Sequence, residues 1–329
     1  MGRFKNTANR LNVFELMEQG VFCAQRIFMA KIPSYLKQGD TIGIVAPAGY
    51  MPFEKMETCV NTLQDWGYTV KLGDTTHSNS SNYFSGTDDE RLADIQQMLD
   101  DRNVKAILFA RGGYGVSRII DRINFKRFKR SPKWLIGYSD ITVLHSHVFS
   151  RYGIATMHAP MAAAFNDGEN EYILSLKNAI SGAKADYHSA AHEFNRSGEV
   201  TGRLVGGNLT LLAHAVGTPS DLNTKRKILF IEDIGEYLYN IDRMFLQLKR
   251  SGKLNKIAAL VVGGFSDNKD TERPYGKTVE EIIYDQIKEY KFPVCFNFPV
   301  SHEKENYALK IGVEYRLSIK NEGVQLKEI

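Results

Sequence analysis

The stretch LIGYSDITVLH, Leu135 to His145, decides how the surrounding chain is read. Trp134 to Ile136 is a short apolar run of strand type, and Gly137 breaks it. From Asp140 onward, Ile141, Leu144, Val148 and Phe149 recur on one side of a helix. Ser139 therefore stands on a strand–turn–helix corner. A corner of that kind can lift a hydroxyl clear of a sheet. Ser and Asp are also ordinary N-cap residues for a helix beginning at Ile141. Taken alone the stretch leans toward the cap, so the rest of the chain has to weigh in.

Working outward, strands and helices alternate from residue 40. TIGIVAPA reads as a strand ending in a Pro/Gly turn, Phe53 to Trp66 as a helix, and YTVKLG as a second strand. TDDERLADIQQMLDD follows as a helix with Thr87 as its cap and acids in its first turn. VKAILFA is a near-continuous apolar strand, followed by a glycine loop, the helix VSRIIDRI and the strand KWLIG. Apolar strands alternating with amphipathic helices predict a parallel α/β sheet covered on both faces. Its ligands should gather at the carboxyl ends of the strands. The pattern loosens between about Asn166 and Gly198, which places a linker over 171–197 between an N-terminal domain at 29–170 and a smaller mixed α/β domain at 198–329. The second domain takes its strands from GRLVGGNLTLL, KILFIED, IAALVVGGF and YRLSIKNEGVQLKEI, with helices near 237–250 and 278–290.

Composition narrows the function classes. The 329 residues are 43% hydrophobic, enough for a full core and for two domains. With 42 basic and 38 acidic residues the net charge is +4, too even for a nucleic-acid footprint. No apolar run approaches a membrane span. Cys23, Cys59 and Cys295 form no CxxC pair, which fits reduced thiols and a cytoplasmic setting. Residues 1–28 carry Arg3, Lys5 and Arg10, yet Glu15, Glu18 and Arg26 interrupt the apolar segment a signal peptide needs. They are expected to be an extension, disordered or not native, with the domain opening at Met29.

Three features could carry chemistry. ARGGYGVSR, Ala110 to Arg118, joins a buried strand to a helix, but a GxGxxG register would need glycine where Arg118 stands. TERPYGKT likewise has Thr271 where a P-loop needs its first glycine. Adjacent glycines can instead offer bare N–H groups to an oxyanion, and Gly113 with Asp140 could converge on one carbonyl oxygen. The alternative is a tight βα turn with no catalytic part. Of eight histidines, His145 and His147 are two apart on a helix and make a poor metal pair. His77, His188 and His192 fall in polar loops, and His214 lies in an apolar helical stretch. His158 and His302 remain as bases, His302 being well placed just after a strand-like run. Glu232 and Asp233 end a hydrophobic strand, and the pattern alone does not choose between them as the acid. No HExxH or clustered His/Asp spacing suggests a metal.

As a set, IVAPAG, YFSGTDDERLADI, ARGGYGVSRI, IGYSDITVL, GGNLTLL, FIEDIGEYLYNIDRMFLQL and SHEKENYALKIG resemble, in order, the LD-carboxypeptidases. These are the muramoyltetrapeptide carboxypeptidases, a family that includes microcin-C immunity peptidases. The resemblance runs from about Ile32 to the C-terminus. It implies a flavodoxin-like N-terminal domain, commonly a homodimer, and a catalytic triad of Ser139, Glu232 and His302. It further implies an oxyanion hole at the backbone N–H groups of Gly113 and Asp140, and no cofactor. Two departures stand out: Ser301 precedes His302 where the family has glycine, and Lys310 takes the place of a proline.

The implied activity is release of the terminal D-Ala from a cytoplasmic murein tetrapeptide, in peptidoglycan recycling. Such a substrate carries carboxylates, which makes Arg111, beside Gly112, the candidate for binding it. An arginine at a βα turn also commonly makes structural hydrogen bonds. The alternatives are an immunity-type peptidase acting on aminoacyl or peptidyl nucleotide conjugates, and a non-catalytic binding module. Neither a nucleic acid nor a membrane is an expected partner.

Overall fold

The computed structural model describes residues 30–329, so the extension expected at 1–28 lies outside the described residues. Strands β1 (Thr41–Val45), β2 (Thr69–Leu72), β3 (Val104–Phe109), β4 (Trp134–Ile136) and β5 (Thr156–His158) form a parallel sheet in the order 2-1-3-4-5. That is the flavodoxin-like order, whose crevice opens beside β1 and β3 at the carboxyl ends of the strands. Buried apolar side chains on both faces of β3 and β4 fit the near-continuous runs of their sequences.

The helices follow their capping chemistry. Thr87 and Glu90 exchange side-chain and backbone hydrogen bonds in a capping box that starts the helix Asp88–Asp100. Two expected helices break into shorter pieces. Phe53 to Trp66 becomes a 3-10 turn, Phe53–Lys55, followed by the helix Glu57–Asp65. VSRIIDRI becomes a single helical turn, Val116–Ile119, and a 3-10 turn, Ile120–Arg122.

The second sheet is built from β6 (Asp186–Ser189), β7 (Gly198–Asn208), β8 (Lys227–Ile234), β9 (Ala259–Ser266), β10 (Val294–Cys295), β12 (Glu314–Lys320) and β13 (Gly323–Glu328). Their order is 10-9-8-7-12-13-6, parallel from β10 to β7 and antiparallel beyond. β11 (Leu309–Ile311) leaves this half and adds an antiparallel edge to β5 of the first sheet. The stretch 171–197, expected as a linker, holds a helix, Glu171–Ser181, and the edge strand β6. Asn170 caps that helix through Tyr172 and Ile173, and Ile173, Leu176, Ala179 and Ile180 bury one helical face. Most of the polar residues that loosened the sequence pattern lie in the connections before, between and after these elements.

Two polar contacts stand out among those that fix the halves against each other. The backbone N–H of Asn208, at the end of β7, donates to Thr142 Oγ1 at 3.1 Å. Gly207 allows the approach, since a Cβ there would stand 2.6 Å from the same oxygen. On the other side, Lys310 of β11 pairs with Glu328 of β13 at 3.0 Å, with the two side chains only 1% and 4% exposed. Lys310 also donates to Ala183 O at 2.9 Å and lies over the Tyr35 ring. The residue that replaces the family proline thus ties the two sheets together. Among the described residues no helix is long and apolar enough to cross a membrane, and the free cysteines Cys59 and Cys295 are buried.

Candidate active site

Ser139 answers the question raised by its corner. It begins the 3-10 turn Ser139–Ile141, which leads into the helix Thr142–Tyr152, and its φ is +61°. A side chain in the left-handed region costs about 1–2 kcal/mol, so the surrounding structure must impose it. No side chain caps either the 3-10 turn or the helix. The cap reading therefore does not hold. His145, buried beneath the corner, contacts Gly137 O through Nε2 at 2.8 Å, and burial pushes its pKa down to about 4.

The glycine loop packs directly on the serine. A Cβ on Gly112 would fall 2.7 Å from Ser139 Cβ, 2.9 Å from its Oγ and 3.3 Å from the Asp140 N. Only glycine fits there. Gly113 follows with φ +100°. Asp140 links the two loops: its Oδ2 accepts from Val116 N at 2.8 Å, while its Oδ1 has no partner among the described residues. Burial raises this carboxyl to about 6, against the pull of the Val116 and Gly115 hydrogen bonds and Arg91. The Asp140 N–H opens a helical turn, where such groups lack partners inside the helix. The loops carrying the two expected oxyanion donors are therefore neighbours.

The second half of the chain supplies the other groups. His302 follows a segment tied to β9 by Phe298 N to Val262 O (3.1 Å) and Gly264 N to Val300 O (3.0 Å). Ser301 Oγ donates to Glu305 O and accepts from Glu303 N, so the serine that replaces the family glycine stitches this loop to itself. His302 Nδ1 lies 2.5 Å from Glu232 Oε2, and its Nε2 is buried without a partner among the described residues. Burial lowers the pKa of His302, but the charge and hydrogen bond of Glu232, with Asp233 behind, raise it further than burial lowers it. Asp233 is engaged elsewhere, accepting from Asn208 Nδ2, Thr210 N and Thr210 Oγ1. The choice the sequence left open falls to Glu232 as the partner of His302.

His158, the other base considered, is fully buried and contacts Asn306 Oδ1 through Nε2 at 3.1 Å. Burial pushes its pKa down to about 3, leaving it a neutral bridge from β5 to the His302 loop. Tyr138 packs edge-on against His302, ring centres 4.9 Å apart. Ser139 and His302 line one cleft of about 490 Å³ with Arg111, Gly112, Gly113, Tyr138 and Lys55. Arg111 donates from Nη1 to Tyr50 O at 2.6 Å, so it has a structural bond and also faces the cleft. Sequence reasoning missed Lys55, Tyr138 and the His158–Asn306 bridge. Tyr138 and Asn306 lay inside quoted motifs, but Tyr138 stood there only as the neighbour of Ser139, and the partner of Asn306 is 148 residues away.

Comparison with known proteins places this geometry. The LD-carboxypeptidase N-terminal domain matches residues 42–159, and the LD-carboxypeptidase C-terminal domain matches residues 201–317. The chain belongs to the LD-carboxypeptidase family. A probable murein peptide carboxypeptidase of Bacillus subtilis is 37% identical over 287 residues, covering 86% of this chain and 90% of that one. The microcin C7 self-immunity protein of Escherichia coli is 27% identical over 334 residues, covering 89% and 94%. A crystal structure of muramoyltetrapeptide carboxypeptidase from Oxalobacter formigenes superposes with a TM-score of 0.80 at 30% identity, covering 88% of this chain and 98% of that one. The two-sheet α/β architecture is thus that of the LD-carboxypeptidases.

Proposed function

We propose that the protein is a serine carboxypeptidase that releases the terminal D-Ala of a murein tetrapeptide through an acyl-enzyme on Ser139. The observation that carries this is His302: Nδ1 is held by Glu232, Nε2 has no hydrogen-bond partner among the described residues, and the imidazole shares a cleft with a serine in a strained backbone. His302 Nε2 takes the Ser139 hydroxyl proton as the oxygen attacks the carbonyl of the third residue. Glu232 holds the tautomer with the proton on Nδ1 and stabilises the imidazolium that forms. The Gly113 and Asp140 N–H groups receive the oxyanion. His302 then protonates the departing amine of D-Ala, and in the second half-reaction it activates water to free Ser139.

Cytoplasmic peptidoglycan recycling is the role this chemistry suits, and a homodimer is the assembly we expect. The second reading, cleavage of an aminoacyl or peptidyl nucleotide conjugate, draws on the likeness to the microcin immunity protein. It also draws on the half-exposed rings of Tyr83 and Tyr114 beside the glycine loop, where a nucleobase could stack. A side-by-side assay of D-Ala release and aminoacyl-nucleotide cleavage separates the two. The tetrapeptide should be the better substrate by kcat/KM. Faster cleavage of the conjugate would overturn the first reading in favour of the second.

A further inference from the structure

We propose that Lys55, acting with Arg111, forms a carboxylate subsite that reads the free C-terminal carboxylate of the residue being released. The inference rests on the carboxypeptidase reading above and names the group that makes the enzyme an exopeptidase. Among the described residues, Lys55 and Arg111 are, with His302, the only ionisable side chains with a basic group in the cleft around Ser139, and no described carboxylate lines it. Beyond Tyr138 and His302 an adjoining lobe of about 290 Å³ carries Asp167, Glu303 and Lys304 instead. The cleft is therefore polarised, cationic on one side of the imidazole and net acidic on the other. A peptide with a free terminal carboxylate has one favourable direction in such a field.

The cations are uncommitted and their backbones are fixed. Among the described residues neither Lys55 nor Arg111 enters a salt bridge. Lys55 ends the 3-10 turn Phe53–Lys55: its N–H donates to Pro52 O at 3.1 Å and its carbonyl accepts from Asn166 Nδ2 at 2.9 Å. Arg111 is pinned by its bond to Tyr50 O, its one side-chain hydrogen bond among the described residues, which leaves most of its guanidinium donors for a ligand. Met51, Met161, Ala163 and Ala164 are among the apolar residues of the lining. Apolar groups there suit a methyl side chain such as that of alanine and strengthen a charge-assisted bond by excluding water.

The test compares a tetrapeptide ending in a free carboxylate with the same peptide ending in a carboxamide, for the intact protein and Lys55→Met. The intact protein should prefer the acid by about tenfold or more in kcat/KM, the worth of one charge-assisted hydrogen bond. In Lys55→Met the preference should fall to about threefold or less, chiefly through KM, and Lys55→Arg should restore part of it. An unchanged melting temperature shows that the variant is folded. A Lys55→Met enzyme that keeps its full acid preference overturns the proposal. Calorimetric binding of both peptides to Ser139→Ala separates the two levels of the argument. A Lys55-dependent preference for the acid in binding, with no D-Ala release by the intact protein, would sink the peptidase reading and sustain the carboxylate subsite. Release with equal binding of acid and amide would do the reverse.

Discussion

His302 and Glu232 meet at 2.5 Å across 70 residues of sequence, with the carboxylate fully buried and the imidazole one-tenth exposed. The histidine pKa is raised, because Glu232 outweighs the opposing effect of burial. Catalysis needs the neutral imidazole, so kcat/KM should rise with pH through a value above the ordinary histidine pKa of about 6.5. Glu232→Gln should move that acidic limb to lower pH and cut kcat by about 100-fold or more, since the tautomer is no longer held. The same shift has a stability consequence. A raised histidine pKa stabilises the fold fully below about pH 6.5, and that contribution disappears as pH climbs through the folded value. A pH–rate profile whose acidic limb does not move in Glu232→Gln would separate the carboxylate from the titration.

Gly112 has no room for a side chain against Ser139. Gly112→Ala should destabilise the fold by about 1–3 kcal/mol, the usual range for overpacking. It should also reduce activity by about 100-fold or more, because relief requires Ser139 or its neighbouring donor to move. Melting curves and D-Ala release measured on one preparation test both. An active Gly112→Ala enzyme would mean that the loop and the serine are less tightly coupled than the structure indicates.

Asp140 and Asp233 both have carboxyls raised to about 6, each mainly by burial. The folded chain keeps these protons over a range where the unfolded chain, with a pKa near 3.9, has released them. Stability should therefore fall as pH rises from about 4 to beyond 6. Asp140→Asn removes one of the two groups. Its change in unfolding free energy between pH 5 and pH 8 should be smaller than the parent's by on the order of 1–3 kcal/mol. Urea denaturation at the two pH values measures this, and an undiminished slope would assign the effect elsewhere.

Lys310 and Glu328 form a buried pair between the sheets. Lys310→Met strands a buried carboxylate and should cost about 3–5 kcal/mol. The double variant Lys310→Met, Glu328→Leu should recover most of that loss, because an apolar pair of similar size has no charge to desolvate. Denaturant unfolding of the single and double variants, as a mutant cycle, tests the coupling.

The alternation of strands and helices was legible because hydrophobic periodicity is local: β3, β4, β8 and β9 fall on the runs that announced them. β11 was not, since three residues carry no period and their partner strand lies some 150 positions earlier. The helix Glu171–Ser181 was masked by its polar flanks, although its buried face has the right spacing. At the site, the corner at Ser139 could be read from Gly137 and the apolar runs, but its positive φ could not, because nothing about serine signals it. Glu232 and Asp233 were indistinguishable in sequence. Adjacent residues on a strand point to opposite faces, and only the fold shows which face meets His302. Lys310 looked like a departure from the family pattern and is instead a buried charge whose partner, Glu328, is 18 residues away.

The central claim is that Ser139 is the nucleophile, and mass-spectrometric detection of D-Ala released from a murein tetrapeptide tests it most directly. The intact protein should release D-Ala, and Ser139→Ala, with its melting temperature unchanged or higher, should release none above background. Release that survives in Ser139→Ala would contradict the account.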